Sequence, residues 1–205
     1  MRYENVSDPE KPKRGRPRTL DVDATLDAAM RAYWQDDPAD VSINAICGLA
    51  GVSKPALYRE FGSEDGLMRA VLDRYAAQVL SEIFAILSRG GTLADTLAAL
   101  IHFASEDATM ETGCVFFKMR AGKHRQGPRT RDGVEAIDSG AVSAFTGFLE
   151  ARRAAGDWQG DQPAPVVARY MVEQIGLALA QRAAGEDTAQ VRTTLELAFS
   201  VIDRA

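Results

Sequence analysis

Apolar residues recur at three- and four-residue steps through most of the chain, and no stretch alternates with the two-residue rhythm of a strand. Val22, Leu26, Ala29, Met30 and Tyr33 form the first helical stripe, with Asp21 placed to cap it and Asp36-Asp37-Pro38 to end it. Ser42 heads a short helix carrying Ile43, Ile46 and Leu49 and closed by Gly51. Ser53 heads another carrying Leu57, Tyr58 and Phe61 and closed by Gly62. From Ser63 the stripe Leu67, Val71, Tyr75, Val79, Ile83 and Leu87 predicts one unbroken helix to Arg89. Further helices are expected from Leu93 to Ala104, from Cys114, from Pro128 through Leu149, from Val166 to Ala184 and from Asp187 to Asp203. The fold class is all-α, with roughly nine helices divided between an N-terminal three-helix unit and a larger bundle.

The two short helices around Gly51 have the form of a helix-turn-helix. Gly51 suits a turn residue with positive φ, and the small Cys47 lets the helices cross closely. Ile46, Val52 and Leu57 would fill the space between the helices, leaving Lys54, Pro55, Ala56, Tyr58 and Arg59 outward. A helix presented in this way fits a DNA major groove about 12 Å wide. Ser42 and Ser53 stand at helix N-termini, where hydroxyls and free amides suit phosphates. An ordinary helical hairpin would show the same spacing.

Charge complicates this reading before it supports it. The 205 residues carry a net charge of −5, which alone argues against a polyanionic partner. The charge is unevenly spread, however. The first twenty residues hold six Lys or Arg against three acids, including Arg14, Arg16 and Arg18 in the run Lys11 to Arg18, and residues 118–131 hold six Lys or Arg and no acid. The first of these segments, rich in proline and without periodicity, is expected to be a disordered basic arm.

The run Ser42-Ile43-Asn44-Ala45-Ile46-Cys47-Gly48-Leu49-Ala50-Gly51-Val52-Ser53-Lys54-Pro55-Ala56-Leu57-Tyr58-Arg59-Glu60-Phe61-Gly62-Ser63-Glu64-Asp65-Gly66-Leu67 resembles the DNA-binding domain of the TetR family of bacterial transcriptional regulators. The resemblance covers about 50 residues with the preceding helix. It implies a dimeric repressor whose N-terminal domain binds operator DNA and whose C-terminal domain binds a small-molecule inducer. On that reading residues 1–20 are the arm, 21–66 the DNA-binding domain and 67–205 the effector-binding and dimerisation domain. Where the family usually places a lysine that contacts phosphate, this chain has Glu64, so that contact is expected to be absent or repulsive. Cys47 replaces the usual alanine and affects packing more than DNA. Arg14-Gly15-Arg16-Pro17 resembles an AT-hook core, in which extended arginines enter the narrow minor groove of A·T-rich DNA. A solubilising tail is the plainer alternative.

In the C-terminal part, Phe84, Leu87, Leu100, Phe103, Phe116, Phe117, Met119, Phe145 and Phe148 lie on stripes that would converge in an antiparallel bundle. They read as core first. With the family resemblance, Phe84, Leu100, Phe103, Phe116, Phe117, Arg120, Phe145 and Phe148 are the candidate ligand-binding residues. Gly113-Cys114-Val115 is similar to an element found in one TetR subgroup, and Cys114, with no paired cysteine, reads as inert and buried. The basic segment, residues 118–131, fits a solvated face, an anionic effector site or ion pairs to a partner subunit. Tyr170, Gln174, Leu177, Leu195, Ala198 and Ile202 on the last two helices are the candidate dimer contacts, and Gly176 is expected to admit a second helix closely. A two-fold dimer would space two recognition helices about 34 Å apart, matching a palindromic site.

No apolar run approaches the 18 to 20 residues of a membrane span and no leader is evident, so a cytoplasmic protein is expected. Cofactor, metal and catalytic residues are not expected: His102 and His124 have no nucleophile or paired carboxylate at motif spacing, and no Gly-rich phosphate loop occurs. The alternatives are an architectural minor-groove protein acting through the arm, and a small helical enzyme.

Overall fold

The computed structural model describes residues 20–203, and every regular element among them is helical. The N-terminal unit comprises α1 (Val22–Gln35), α2 (Ile43–Ala50) and α3 (Lys54–Phe61). Next, α4 (Glu64–Tyr75) leads through a π-helical turn (Ala76–Leu80) into α5 (Ser81–Ser88). There follow α6 (Leu93–Ser105), α7 (Val115–Ala121), α8 (Pro128–Ala154), α9 (Ala164–Ala183) and α10 (Thr188–Asp203), with short 3-10 turns on either side of α7. With α4 and α5 taken as one interrupted helix, the described residues form nine helices. None is long and apolar enough to cross a membrane.

The boundaries follow from local chemistry. Asp21, Ser42, Ser53 and Ser63 each accept a hydrogen bond from the amide three residues on, and Thr92 and Asp95 form a reciprocal capping box. Gly51 takes φ +66°, as the turn between α2 and α3 requires.

The predicted unbroken helix from Ser63 is corrected by the π turn. The extra residue in that turn rotates the apolar stripe, so that Leu80 and Ile86 become buried after Tyr75 while Val79 and Ile83 are only half-buried. Phe84 is left exposed. Leu49 is also exposed, because only Ile43 and Ile46 on α2 face the interior.

α4 joins the two parts. It packs on α1 and α3 on one side and on α8 on the other, while α8, α9, α10 and α6 pack against each other as the bundle. Leu57, Leu67, Val71, Leu72 and Tyr75 are fully buried along this seam. Each contributes on the order of 1.5 to 3 kcal/mol through burial. The Trp34 ring meets the Tyr75 ring edge-on at 5.3 Å. Trp34 Nε1 donates to the Gly113 carbonyl at 2.7 Å, and Lys118 Nζ donates back to the Trp34 carbonyl.

Residues 118–131 are not a free basic face. Arg125 pairs with Asp37, at 3.5 Å, and with Asp40, both in the α1–α2 connection. Arg120 pairs with Asp138 at 3.4 Å and with Glu173. At the start of α8, the Asp65 carboxylate accepts from Arg129 N at 2.9 Å, Thr130 N at 3.0 Å and Thr130 Oγ1 at 2.7 Å. The first turn of α4 therefore caps the N-terminus of α8, and the basic segment is mainly a strap between the two parts of the same chain.

Burial disfavours the charged form of Asp65, but the hydrogen bonds from Thr130 and Arg129 outweigh it and hold the carboxyl below its ordinary range. Its stabilising effect is thus present above about pH 4, the unfolded value, and is lost as pH falls through the lower folded value. Asp65→Ala is expected to cost about 1 to 2 kcal/mol at pH 7, allowing for the group's solvent exposure. Melting curves of the two proteins should converge as pH is lowered from 6 to 2. A pH-independent gap would assign the loss to packing instead.

Candidate nucleic-acid interface and interior cavities

The helix-turn-helix presents most of the residues expected of it. Ile46 and Leu57 are fully buried and Val52 half-buried, which fixes α3 against α2 and α4. Lys54, Pro55 and Arg59 are exposed on α3, whereas Ala56 and Tyr58 are half-buried. Ser42 Oγ accepts from Ala45 N at 3.2 Å and Ser53 Oγ from Ala56 N at 3.3 Å, leaving each hydroxyl proton free for an external acceptor. Arg14, Arg16 and Arg18 lie outside the described residues.

Lys54 Nζ lies 5.5 Å from the Tyr58 ring centroid, and the Tyr58 hydroxyl donates to Glu64 Oε1 at 2.9 Å. Glu64 therefore does not stand as a bare carboxylate where a lysine would be usual; Tyr58 holds it within the chain. Two of the candidate DNA-facing groups, Lys54 and Tyr58, are thus linked to each other and, through the Tyr58 hydroxyl, to Glu64.

Inside the bundle, a cavity of about 40 Å³ is lined by Leu80, Phe84, Phe116, Phe117, Phe145 and Ile175, among others. Four of the eight candidate ligand residues are thus brought together. The other four are not: Leu100, Phe103 and Phe148 are buried in the surrounding core, and Arg120 is held by its two carboxylates with its guanidinium 5.6 Å from the Phe117 ring centroid. The walls are almost wholly apolar, and the space is enough for one or two water molecules at about 30 Å³ each. Cys114 is buried beside this region and accepts from the Tyr75 hydroxyl at 3.1 Å. Burial pushes its thiol pKa up, which keeps it protonated and unreactive.

On the last two helices, Leu195 and Ile202 are 2% exposed within the single chain and belong to its own core. Tyr170 is half-buried and its hydroxyl donates to the Ala198 carbonyl at 3.0 Å, tying α9 to α10. Gln174 and Ala198 are half-buried. The exposed apolar side chains here are Val166, Leu177, Leu197 and Val201, of which sequence periodicity singles out only Leu177. Gly176 does not face a second subunit. A Cβ there would stand 2.6 Å from the Phe117 ring, so the glycine is a seat for that ring on α7.

The described residues thus combine a helix-turn-helix unit with an all-α bundle that holds an apolar cavity. Residues 26–71 match the family model described as bacterial regulatory proteins, tetR family. The HTH-type transcriptional repressor ComR of Escherichia coli (strain K12) is 40% identical over 110 residues, covering 51% of this chain and 51% of ComR. The uncharacterized HTH-type transcriptional regulator MT1294 of Mycobacterium tuberculosis (strain CDC 1551 / Oshkosh) is 41% identical over 64 residues, covering 31% of this chain and 32% of that protein. The chain thus spans about half the length of the first of these relatives and about a third of the second. Over residues 26–71 the chain is similar to the bacterial regulatory proteins of the tetR family.

Solved structures agree on the fold over nearly the whole chain. The reduced form of E. coli NemR superposes with a TM-score of 0.78 at 16% identity, covering 88% of this chain and 96% of NemR. A cysteine-substituted form of the TetR family regulator CifR, complexed with a 26 bp double-stranded operator DNA, gives 0.76 at 21% identity, covering 90% and 98%. At these identities the likeness speaks for the fold alone.

Proposed function

We propose that the chain is a dimeric transcriptional repressor that binds a palindromic operator through α2 and α3 and is released by a small apolar effector. The observation that carries this reading is the position of α3: capped by Ser53, set off by the positive-φ turn at Gly51, and exposing Lys54, Pro55 and Arg59 from its first and last turns. The repressor name of ComR and the operator complex of CifR support it. In this reading Lys54, Pro55, Ala56, Tyr58 and Arg59 face the major groove, and Ser42 and Ser53 donate to phosphates. Arg14, Arg16 and Arg18 follow the adjacent minor groove. The division into an arm (1–20), a DNA-binding part (21–66) and an effector and dimerisation part (67–205) belongs to the same proposal.

The dimer would form on α9 and α10 around Val166, Leu177, Leu197 and Val201, with Tyr170, Gln174 and Ala198 at its edges. These four exposed apolar side chains give that face a reason to be covered. The effector would enter beside Phe84, Phe116, Phe117 and Phe145. A drug-sized ligand needs roughly 300 Å³ or more, so the cavity of about 40 Å³ must open around it. Phe117, half-buried over Gly176, is the ring best placed to move.

The direct test is a gel shift with the DNA upstream of the protein's own gene. Wild type should give a specific shift, and Tyr58→Ala should weaken it about tenfold or more, the scale of 1 to 3 kcal/mol expected for a base-reading side chain. Tyr58→Phe should weaken it less and mainly at low salt, because it frees the Glu64 carboxylate beside the phosphates. No specific shift at low salt would overturn the proposal.

A further inference from the structure

The five side chains of α3 that would face the groove differ in what they can exchange with a base edge. Lys54 and Arg59 carry only donors, and Pro55 and Ala56 carry neither a donor nor an acceptor. Tyr58 alone among these five has an oxygen. Its single proton is already committed, because the hydroxyl donates to Glu64 Oε1 at 2.9 Å and a carboxylate oxygen only accepts. What the Tyr58 oxygen keeps for an outside group is a lone pair.

Neighbouring groups hold this arrangement. Glu64 opens α4 directly after its cap, where Ser63 Oγ accepts from Gly66 N at 3.0 Å, so the carboxylate starts from a fixed turn. Leu57, fully buried beside Tyr58 in the chain, anchors α3, and Lys54 Nζ stands 5.5 Å from the Tyr58 ring centroid. The hydroxyl and the carboxylate both stay open to whatever approaches α3.

The committed proton narrows the possible partners. Phosphate oxygens, thymine O4 and guanine O6 are acceptors and would confront the Tyr58 lone pair. In the major groove only the amino groups of adenine and cytosine offer it a proton. Two acceptors brought together out of water leave both unpaired, which costs more than the loss of one hydrogen bond.

Resting on the operator-binding reading above, we infer that Glu64 is a positioning residue that sets sequence specificity. By holding the Tyr58 proton it makes Tyr58 an acceptor, so each half-site must place an adenine or cytosine amino group opposite it. The same carboxylate repels the DNA backbone, which lowers affinity for every sequence while Tyr58 discriminates among them.

The experiment measures binding of the full chain to the DNA upstream of its own gene, with the bases of the footprinted site changed one at a time. In one series N6-methyladenine or N4-methylcytosine replaces the ordinary base, which keeps the base pair and blocks the groove-facing N–H. In the other, a transition puts a keto oxygen where the amino group stood. Wild type should show one position in each half-site where both changes weaken binding about fivefold or more. Tyr58→Phe should lose the sensitivity at that position alone. Glu64→Ala frees the hydroxyl to turn and donate to the keto oxygen, so the transition there should cost less than about twofold, and unmodified DNA should bind more tightly, most of all at low salt. A contact that merely joins α3 to α4 would change affinity for all sequences alike. Absence of the position from the wild-type profile, its survival in Tyr58→Phe, or an unchanged transition cost in Glu64→Ala each overturns the role of Glu64 while specific binding stands. No specific binding by wild type defeats the operator reading, and the role of Glu64 with it.

Discussion

Gly66→Ala is expected to destabilise the protein by about 3 kcal/mol or more and to abolish any specific affinity of α3 for DNA. A Cβ at Gly66 would stand 1.9 Å from the Phe61 carbonyl oxygen and 3.1 Å from its carbon. Both are backbone atoms at the end of α3, so no side-chain rotation relieves the overlap, and α3 must move off α4 by more than an ångström. The better helix propensity of alanine returns at most about 1 kcal/mol. Overpacking against a movable side chain typically costs 1 to 3 kcal/mol, and backbone displacement costs more. For a chain of this size the fall in melting temperature should be roughly 6 to 12 °C. Gly48, also helical but with open space for 4 Å around the point where a Cβ would stand, provides the contrast. Gly48→Ala should leave the melting temperature unchanged or raise it slightly. Equal behaviour of the two variants by circular dichroism would show that the α3–α4 contact is not tight in solution.

Phe145→Ala should have a comparable effect for a different reason. The ring is 2% exposed, packed from α8 toward α5, α7 and α9, and it borders the bundle cavity. Removing it deletes the transfer free energy of a phenyl group and enlarges a space that already exists, so a loss of about 3 to 5 kcal/mol in urea titrations is expected. An apolar guest such as toluene should recover part of that loss by occupying the enlarged cavity. A loss below about 1 kcal/mol would mean that the four helices close over the gap.

What could be read from sequence and what could not divide along the range of the interactions. The helix-turn-helix was legible because its determinants are local: Ser42 and Ser53 cap helices three residues away, and Gly51 supplies one turn. The all-α class was legible from periodicity alone. The π turn at Ala76–Leu80 was not, because an apolar residue every three or four positions is compatible with an inserted residue until the packing on each side is known. Leu195 and Ile202 have the same periodicity whether they face their own subunit or another. The strap was least legible. Fourteen residues with no acid among them suggest a free basic face, yet Arg125 finds Asp37 88 positions earlier and Thr130 finds Asp65 65 positions earlier.

The cap that Asp65 places on α8 also fixes where α4 can turn. A residue in the first turn of the helix after α3 is thus the one that closes the N-terminus of the longest helix of the bundle, so the two helices share one origin and neither start can be displaced without breaking three hydrogen bonds.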